Sequence, residues 1–224
     1  RQRSVDRVYG QLEKWRERSV KPNTILTGCV VEEDKKKLEK KFDLIVDIRD
    51  IAKLKSYVSG GGIDEVELSD DERDYFHIEP HYKNSYQAYV PIMTGCDKFC
   101  TYCVVPFTRG REVSRMPHEI LRDVHDAVSR GFKEVTLLGQ NVNSYRYGDI
   151  TFPKLLRLVN EIHGDFWLRF LTSHPWDMGD DLIDAIAESD KIGRFIHLPV
   201  QAGNDEVLRK MNRRYTVQSY KEII

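Results

Sequence analysis

The chain contains four cysteines, and three of them, Cys96, Cys100 and Cys103, are spaced C-x3-C-x2-C. Buried thiols can pack as small apolar groups, but three so close together on a polar loop suit a metal better. A structural zinc ion needs four ligands, which would leave His118 or Cys29 to complete the set. An iron–sulfur cube is commonly held by four thiolates, so a triplet leaves one iron open to bind and orient a small molecule. The motif therefore favours an iron–sulfur cluster, with zinc as the alternative.

The elements that must position this motif alternate between strands and helices. Apolar runs between turn signals predict strands at 88–93, 134–138, 167–171 and 195–200, and helices at 118–130, 153–163, 180–188 and 204–211. Such βα units, joined by right-handed crossovers, curl into part of a barrel whose chemistry lies on the loops after the strands. Those loops, which hold most of the conspicuous polar residues, span 94–115, 139–147, 172–178 and 201–204.

The N-terminal third shows a weaker alternation of the same kind. It predicts a helix ending near Arg18, strands at 24–29 and 44–46, and helices at 32–41 and 51–58. Three glycines at 60–62 and an acidic stretch at 64–79 then predict a linker. We predict an α/β protein in two parts, residues 1–80 and residues 81–224. Because both ends of the chain fall within helical patterns, we expect it to be a piece of a longer protein.

Composition narrows the class of protein. The 35 Lys and Arg residues balance 36 Asp and Glu residues, which excludes the strongly basic footprint of a duplex-coating protein but leaves room for a local RNA site. With 40% hydrophobic residues the chain can build a core. No apolar run approaches the roughly 18 residues that a membrane span needs, and the first residues lack a secretory signal. We therefore expect a cytoplasmic protein with no membrane partner.

The segment from Thr94 to Arg115, which contains the cysteine motif, resembles the methylthiotransferases of the radical S-adenosylmethionine (SAM) superfamily. Further segments of this chain resemble the same family, and they are LGQNV at 138–142, LTSHP at 171–175, HLPVQAGN at 197–204 and MNRRYT at 211–216. The resemblance covers nearly the whole chain and is nearest to the group that modifies tRNA adenosines. It implies a partial radical SAM barrel at 81–224, without its last strands. The C-terminal part of a methylthiotransferase N-terminal domain, with its linker, would precede it at 1–80.

The resemblance also implies the chemistry. Cys96, Cys100 and Cys103 would ligate a 4Fe–4S cluster whose open iron binds SAM. A radical derived from SAM would take hydrogen from carbon 2 of an isopentenyl-modified adenosine next to the tRNA anticodon, and a methylthio group would replace it. The implied partners are the tRNA anticodon stem-loop, an electron donor such as flavodoxin or ferredoxin, and a sulfur source.

Cys29 matches the last of three cysteines that the family's N-terminal domain uses for a second 4Fe–4S cluster. The resemblance therefore implies two clusters in the full-length protein, of which this chain completes one. The other two ligands of the second cluster would precede residue 1. Taken alone, a single cysteine after a strand is more simply explained by burial.

Polar residues at the predicted strand ends are the remaining candidates. Four of them would contact SAM or order its surroundings, and they are Gln140, Asn141, Ser173 and Gln201, although loop capping by the same side chains is the alternative. Arg115 would lie near the barrel mouth with Arg109 and Arg111, where guanidinium groups suit the SAM carboxylate or tRNA phosphates, unless they are solvated surface charges. His174 and His197 are either site residues or core residues, with core favoured for His197.

A non-enzymatic class remains open at this point. The arginines at 109, 111 and 115 lie beside three aromatic residues, Phe99, Tyr102 and Phe107, a mixture typical of single-stranded RNA sites. A zinc or iron–sulfur RNA-binding module is thus an alternative to the enzyme. Within the enzyme class, the alternatives are relatives that modify a ribosomal protein aspartate or a threonylcarbamoyl adenosine. TRGRE at 108–112 and GQNV at 139–142 look more like the isopentenyl-adenosine group.

Overall fold

The structure is a computed structural model and describes residues 2–20, 22–54, 74–78, 80, 82 and 84–224. The predicted glycine linker at 60–62 and most of the acidic stretch lie outside the described residues. The described residues open with helix α1 (Gln2–Arg16). Two short parallel strands, β1 (Ile25–Leu26) and β2 (Leu44–Ile45), then flank helix α2 (Glu32–Leu38). The predicted helix at 51–58 is instead a 3-10 helix at Ile48–Lys53, as far as it is described.

The described residues from 84 onward are built around a parallel sheet of three strands. These are β3 (Gln87–Pro91), β6 (Glu134–Leu138) and β9 (Trp167–Phe170), with β6 in the centre. The central strand is covered on both faces, so its residues are buried without alternation, as expected of a parallel sheet. At the edge, β9 alternates, with Leu168 and Phe170 buried and Trp167 exposed.

Helices follow the strands as the βα pattern predicts. Short strand pairs and helices complete the order: β4 (Met93–Thr94), α3 (Val105–Thr108), β5 (Val113–Ser114), α4 (Pro117–Ser129), β7 (Arg146–Tyr147), β8 (Ile150–Thr151), α5 (Phe152–Asn160), α6 (Asp180–Glu188), α7 (Asp205–Lys210) and α8 (Val217–Ile223). Pro117 and Pro153 lie in the first turns of α4 and α5, where a missing N–H leaves no bond unmade.

The core lies between the sheet and the helices α4, α5 and α6. Helix α4 contributes Ile120 and Val124, both fully buried, and the Phe152 ring of α5 packs edge-on against Phe170 of β9 with 5.1 Å between ring centroids. Burial of such side chains contributes about 1.5–3 kcal/mol each. The α/β fold predicted from the sequence is confirmed, and this packing fixes the strand ends that carry the polar loops.

The fourth predicted strand, at 195–200, is wrong. Among the described residues, a parallel bridge between Leu168 and Ile192 extends the sheet beyond β9, just before the predicted strand begins. The carbonyls of 198–200 are instead taken by side chains: Tyr220 Oη donates to Leu198 O, Arg213 Nη2 to Pro199 O, and Tyr215 Oη to Val200 O. Within the described residues, none of the helices combines the length and apolar character of a membrane-spanning segment.

Candidate active site

The cysteine loop begins directly after β4 at Gly95, where the backbone of residues 110 and 111 passes too close to leave room for a side chain. Gly95 has φ +76°, and a Cβ atom there would lie 1.8 Å from the carbonyl oxygen of Arg111. The amide of Cys96 then donates to Gly110 O at 3.3 Å. A side chain at position 95 would push apart the two strands of the loop, so glycine fixes where the first cysteine enters the site.

A distant segment, residues 210–213, clasps the cysteine loop. Thr101 donates through its amide to Met211 O at 3.3 Å and through its hydroxyl to Lys210 O at 3.0 Å. Asn212 Nδ2 donates to Phe99 O at 3.1 Å. These bonds join the loop after β4 to the segment after α7 and so hold the three cysteines against the rest of the fold.

Arg213 contacts one of the cysteines directly. Its side chain is buried, and Nη1 donates to Cys100 Sγ at 3.3 Å while Nε donates to Tyr215 Oη at 3.0 Å. A buried cation is costly unless a partner of opposite charge compensates it. A thiolate at Cys100 is a suitable partner, because hydrogen bonds to cluster sulfurs are a normal feature of iron–sulfur sites.

The three thiols have the chemistry of metal-cluster ligands. Cys100 is buried, Cys96 and Cys103 are half-buried, and all three are free. Burial raises the pKa of the Cys96 thiol to about 11, so a bound cation would have to favour the thiolate there. In the part of the chain that the structure describes, no three His, Cys, Asp or Glu side chains converge closely enough to hold a single ion as placed.

Polar atoms without partners lie at the strand ends next to this loop. Among the described residues, six buried side-chain atoms lack a hydrogen bond, and the four that follow β6 and β9 are Gln140 Oε1, Asn141 Oδ1, Ser173 Oγ and His174 Nε2. The other two are Thr27 Oγ1 and Arg115 Nε. Gln140 and Asn141 follow β6, and Ser173 and His174 follow β9. Buried polar groups are normally satisfied, so this group fits a bound polar ligand such as SAM.

Asp177 links one of these residues to the cysteine loop. Its Oδ2 accepts from Asn141 Nδ2 at 2.7 Å, and its Oδ1 accepts from Lys98 Nζ at 2.7 Å. Lys98 lies between Cys96 and Cys100, so the carboxylate ties the end of β6 to the motif. The Asn141 amide is thereby oriented, with its nitrogen used and its oxygen free for a ligand.

His174 is a neutral histidine with a defined tautomer. Its Nδ1 accepts from the Trp176 amide at 3.2 Å, which places the proton on Nε2. Burial, with a smaller effect from the cationic Arg213, lowers the pKa of His174 to about 4. His174 therefore offers an unused N–H donor.

His197, for which burial in the core was predicted, is exposed, and that prediction is wrong.

Two predicted cofactor contacts have different surroundings. Gln201 is exposed on its loop, with a left-handed φ of +70°. Arg115 is buried, and its guanidinium pairs with Asp123 at 2.7 Å and approaches Glu119 at 3.5 Å. Both carboxylates belong to α4, so the charge of Arg115 is already compensated within the fold.

Cys29 is exposed and contacts Arg109. Arg109 Nε donates to Cys29 Sγ at 3.3 Å, and the Arg109 guanidinium lies 5.9 Å from the centre of the Tyr75 ring. Arg109 follows α3, the helix after the cysteine loop, so this contact joins Cys29 to the segment that follows the motif.

Sequence reasoning missed two of the residues that organise the site. Asp177 lay in the predicted loop at 172–178 and Arg213 in the segment at 211–216, but neither was singled out. A carboxylate directly after a strand-end Pro-Trp could have identified Asp177 as an orienting group. Nothing in the spacing of Arg213 indicates its contact with Cys100, which depends on the tertiary fold.

Comparison with known proteins agrees with this geometry. Residues 90–224 match the radical SAM superfamily, and the chain belongs to that superfamily. A 4Fe–4S cluster and SAM are the cofactors that this membership implies, and it does not favour the non-enzymatic alternative.

More particular relatives are proteins named tRNA-2-methylthio-N(6)-dimethylallyladenosine synthase. The one from Treponema denticola is 42% identical over 89% of this chain and 50% of its own length. One from Clostridium botulinum strain Alaska E43 is 42% identical over 100% of this chain and 52% of its own. The predicted resemblance to the methylthiotransferases, in the subgroup called MiaB, is confirmed. The chain spans about half the length of these curated relatives.

A solved structure shows the same fold at low identity. The cobalamin-dependent SAM radical enzyme OxsB, with aqua-cobalamin and SAM bound, superposes with a TM-score of 0.59 over 98% of this chain and 36% of its own. The sequences are only 11% identical, so the likeness concerns the fold alone.

Proposed function

We propose that the protein containing this chain transfers a methylthio group to carbon 2 of an isopentenyl-modified adenosine next to the tRNA anticodon. The observation that carries the proposal is the group of unpartnered buried polar atoms beside a three-cysteine loop in a radical SAM chain. The names of the relatives supply the substrate.

Cys96, Cys100 and Cys103 would hold a 4Fe–4S cluster. When bound, the cluster and SAM supply a carbon radical, which no protein side chain readily provides. The chain's own contribution is to hold both partners and to exclude water around them. The clasp at 210–213 serves the first purpose by fixing the cysteine loop, and the buried strand ends serve the second.

SAM would take the polar atoms that the fold leaves unpaired. Gln140 Oε1 and Asn141 Oδ1 can accept hydrogen bonds, Ser173 Oγ can do either, and His174 Nε2–H can donate. Asp177 Oδ2 accepts a hydrogen bond from Asn141 Nδ2 at 2.7 Å. This bond fixes the orientation of the Asn141 amide and therefore the direction of its free oxygen.

Gln201 and Arg115 stay predicted SAM contacts. For Gln201, exposure leaves the side chain free for a ligand. For Arg115, contact with SAM would require its ion pairs with α4 to be shared.

Cys29 would ligate a second 4Fe–4S cluster, with its other ligands outside this chain. Its contact with Arg109 supports the idea, because that contact brings the Cys29 sulfur near the radical SAM part. In this proposal residues 1–80 are the C-terminal part of the N-terminal domain with its linker, and residues 81–224 are the radical SAM core. A cytoplasmic location, the tRNA anticodon stem-loop, an electron donor such as flavodoxin or ferredoxin, and a sulfur source belong to the same proposal.

The cluster is tested by anaerobic reconstitution of the full-length protein. We expect a broad visible absorption band that bleaches on reduction, together with release of deoxyadenosine from SAM. Cys96→Ala, Cys100→Ala and Cys103→Ala should each abolish that release, because two thiolates hold the cube too weakly. A single alanine variant that cleaves SAM normally would refute the assignment of ligands.

The reaction is tested by mass spectrometry of tRNA nucleosides from cells with and without the gene. The methylthio nucleoside should disappear with the gene and return with the wild-type copy. Cys29→Ala should still cleave SAM but fail to restore the nucleoside. If Cys29→Ala supports multiple turnovers, Cys29 is a structural residue.

A further inference from the structure

Four exposed aromatic side chains surround the cysteine loop, and we call them the aromatic rim: Phe99, Tyr102, Phe107 and Trp176. Phe107 is 77% exposed and Trp176 is 45% exposed. Phe99 and Tyr102 lie within the cysteine motif itself, and Phe107 follows it on α3. Large aromatic side chains are normally buried, so four of them beside a site indicate a surface that binds something.

Contacts connect three of the four residues of the rim. The Phe99 and Phe107 rings meet edge-on with 6.2 Å between centroids. Asn212 donates to the Phe99 carbonyl and accepts from Arg214 Nε at 3.4 Å. The guanidinium of Arg214 in turn lies 4.8 Å from the centre of the Trp176 ring. These contacts link Phe99, Phe107 and Trp176 across the cysteine loop and the segment after α7, and Tyr102 lies beside them in the motif.

The backbone holds this surface in an unfavourable conformation. Phe99, Asn212 and Arg214 all have left-handed φ angles, of +48°, +58° and +52°. Non-glycine residues avoid this region, and such strain persists where the surrounding structure enforces it, commonly at functional sites. The clasp that fixes the cysteines thus also fixes the exposed ring of Phe99 and the cation beside Trp176.

We propose that the aromatic rim stacks the unpaired nucleobases of an RNA substrate at the entrance to the active site. The proposal rests on the proposed tRNA function and names the surface that performs it. RNA is favoured over a protein partner because cations lie against the rings, as Lys98 and Arg214 do with Trp176 and Arg111 does with Phe99. Bases stack on aromatic rings and on guanidinium planes alike.

The charges around the rim indicate stacking more than phosphate contact. Lys98 is paired with Asp177 at 2.7 Å, and Arg111 with Asp97 at 2.7 Å. Cations that are already paired release few counterions on binding, so the affinity should depend only weakly on salt. A surface of this kind selects unpaired bases, since a duplex hides their faces.

The test is RNA binding by the full-length, reconstituted protein. The probes are a labelled RNA hairpin with an unpaired loop and a fully paired duplex of the same composition. We expect the hairpin to bind more tightly than the duplex. Phe99→Leu and Trp176→Leu should each weaken hairpin binding about 5- to 150-fold, the loss of one stacked base. Trp176→Phe keeps an aromatic face and should lose less.

The matched control is Trp167→Leu, which removes an exposed tryptophan from the opposite end of the sheet. It should bind the hairpin as the wild type does. Trp176→Leu should leave the dependence of log Kd on log salt unchanged, whereas Arg214→Gln should lower that slope by up to about 0.7. Iron content and circular dichroism establish that each variant is folded and loaded.

The outcomes separate this proposal from the proposed function. If Phe99→Leu and Trp176→Leu bind the hairpin as tightly as the wild type does, the rim does not stack nucleobases, and the proposal for the rim is overturned. A rim that binds a protein partner would give this result. The assignment of tRNA as the substrate would stand. Equal binding of hairpin and duplex also overturns it. A wild-type protein that binds neither RNA overturns the tRNA assignment as well.

Discussion

Arg213 should set the reduction potential of a cluster bound at Cys96, Cys100 and Cys103. Its buried guanidinium donates to Cys100 Sγ at 3.3 Å. Reduction adds negative charge to the cluster, and a nearby cation favours that state. A hydrogen bond to a charged group contributes about 1.5–3 kcal/mol. Since about 1.4 kcal/mol corresponds to 59 mV for one electron, Arg213→Met should lower the midpoint potential by about 60–130 mV.

The assay is an anaerobic redox titration followed by electron paramagnetic resonance, on protein with matched iron content. Arg213→Lys keeps the charge but loses the planar fork, so it should lower the potential less than Arg213→Met does. Arg214→Met is the control, because this neighbouring arginine is exposed and its guanidinium contacts Asn212 and Trp176. If Arg213→Met binds a full cluster whose potential equals that of the wild type, the tuning role is refuted.

Two further predictions concern the loop and the strand ends. Gly95→Ala should displace the Arg111 carbonyl, cost about 2–4 kcal/mol of stability in urea denaturation and lower the iron content, whereas Gly148→Ala, with φ +54° and open space, should cost about 1 kcal/mol and keep the iron. Because the pKa of His174 is lowered to about 4, the unfolded state binds an extra proton below about pH 6.5 and stability falls as pH drops toward 4. Between pH 7 and 5.5 the wild type should therefore lose about 1 kcal/mol more than His174→Gln, while His197→Gln should match the wild type; equal losses in all three proteins would contradict the burial argument.

The local sequence pattern was sufficient to predict the elements that do not depend on contacts with distant residues. The strand β6 and the helix α6 have the bounds that apolar runs between turn signals predicted, Glu134–Leu138 and Asp180–Glu188. The run at 195–200 looked just as strand-like. It fails to pair because side chains of Arg213, Tyr215 and Tyr220 take its carbonyls, which no local pattern reveals.

The candidate site divides in the same way. Gln140, Asn141 and Ser173 were predicted from their positions after strands, and the structure leaves a buried polar atom unpartnered on each. The surroundings of Arg115 depend on which face of α4 turns toward it. The helix presents Asp123 at 2.7 Å, an orientation that follows from packing rather than from the arginine's place in the chain.

The clasp on the cysteine loop has a consequence for the order in which the molecule is made. Phe99 and Cys100 are held by groups 113 residues further along the chain. Contacts of such high sequence separation form late in folding, and a chain growing from its N-terminus cannot make them until the distant segment has emerged. The three cysteines thus leave the ribosome before the residues that hold them, so the contacts of residues 210–213 with the loop can form only after that segment has been synthesised.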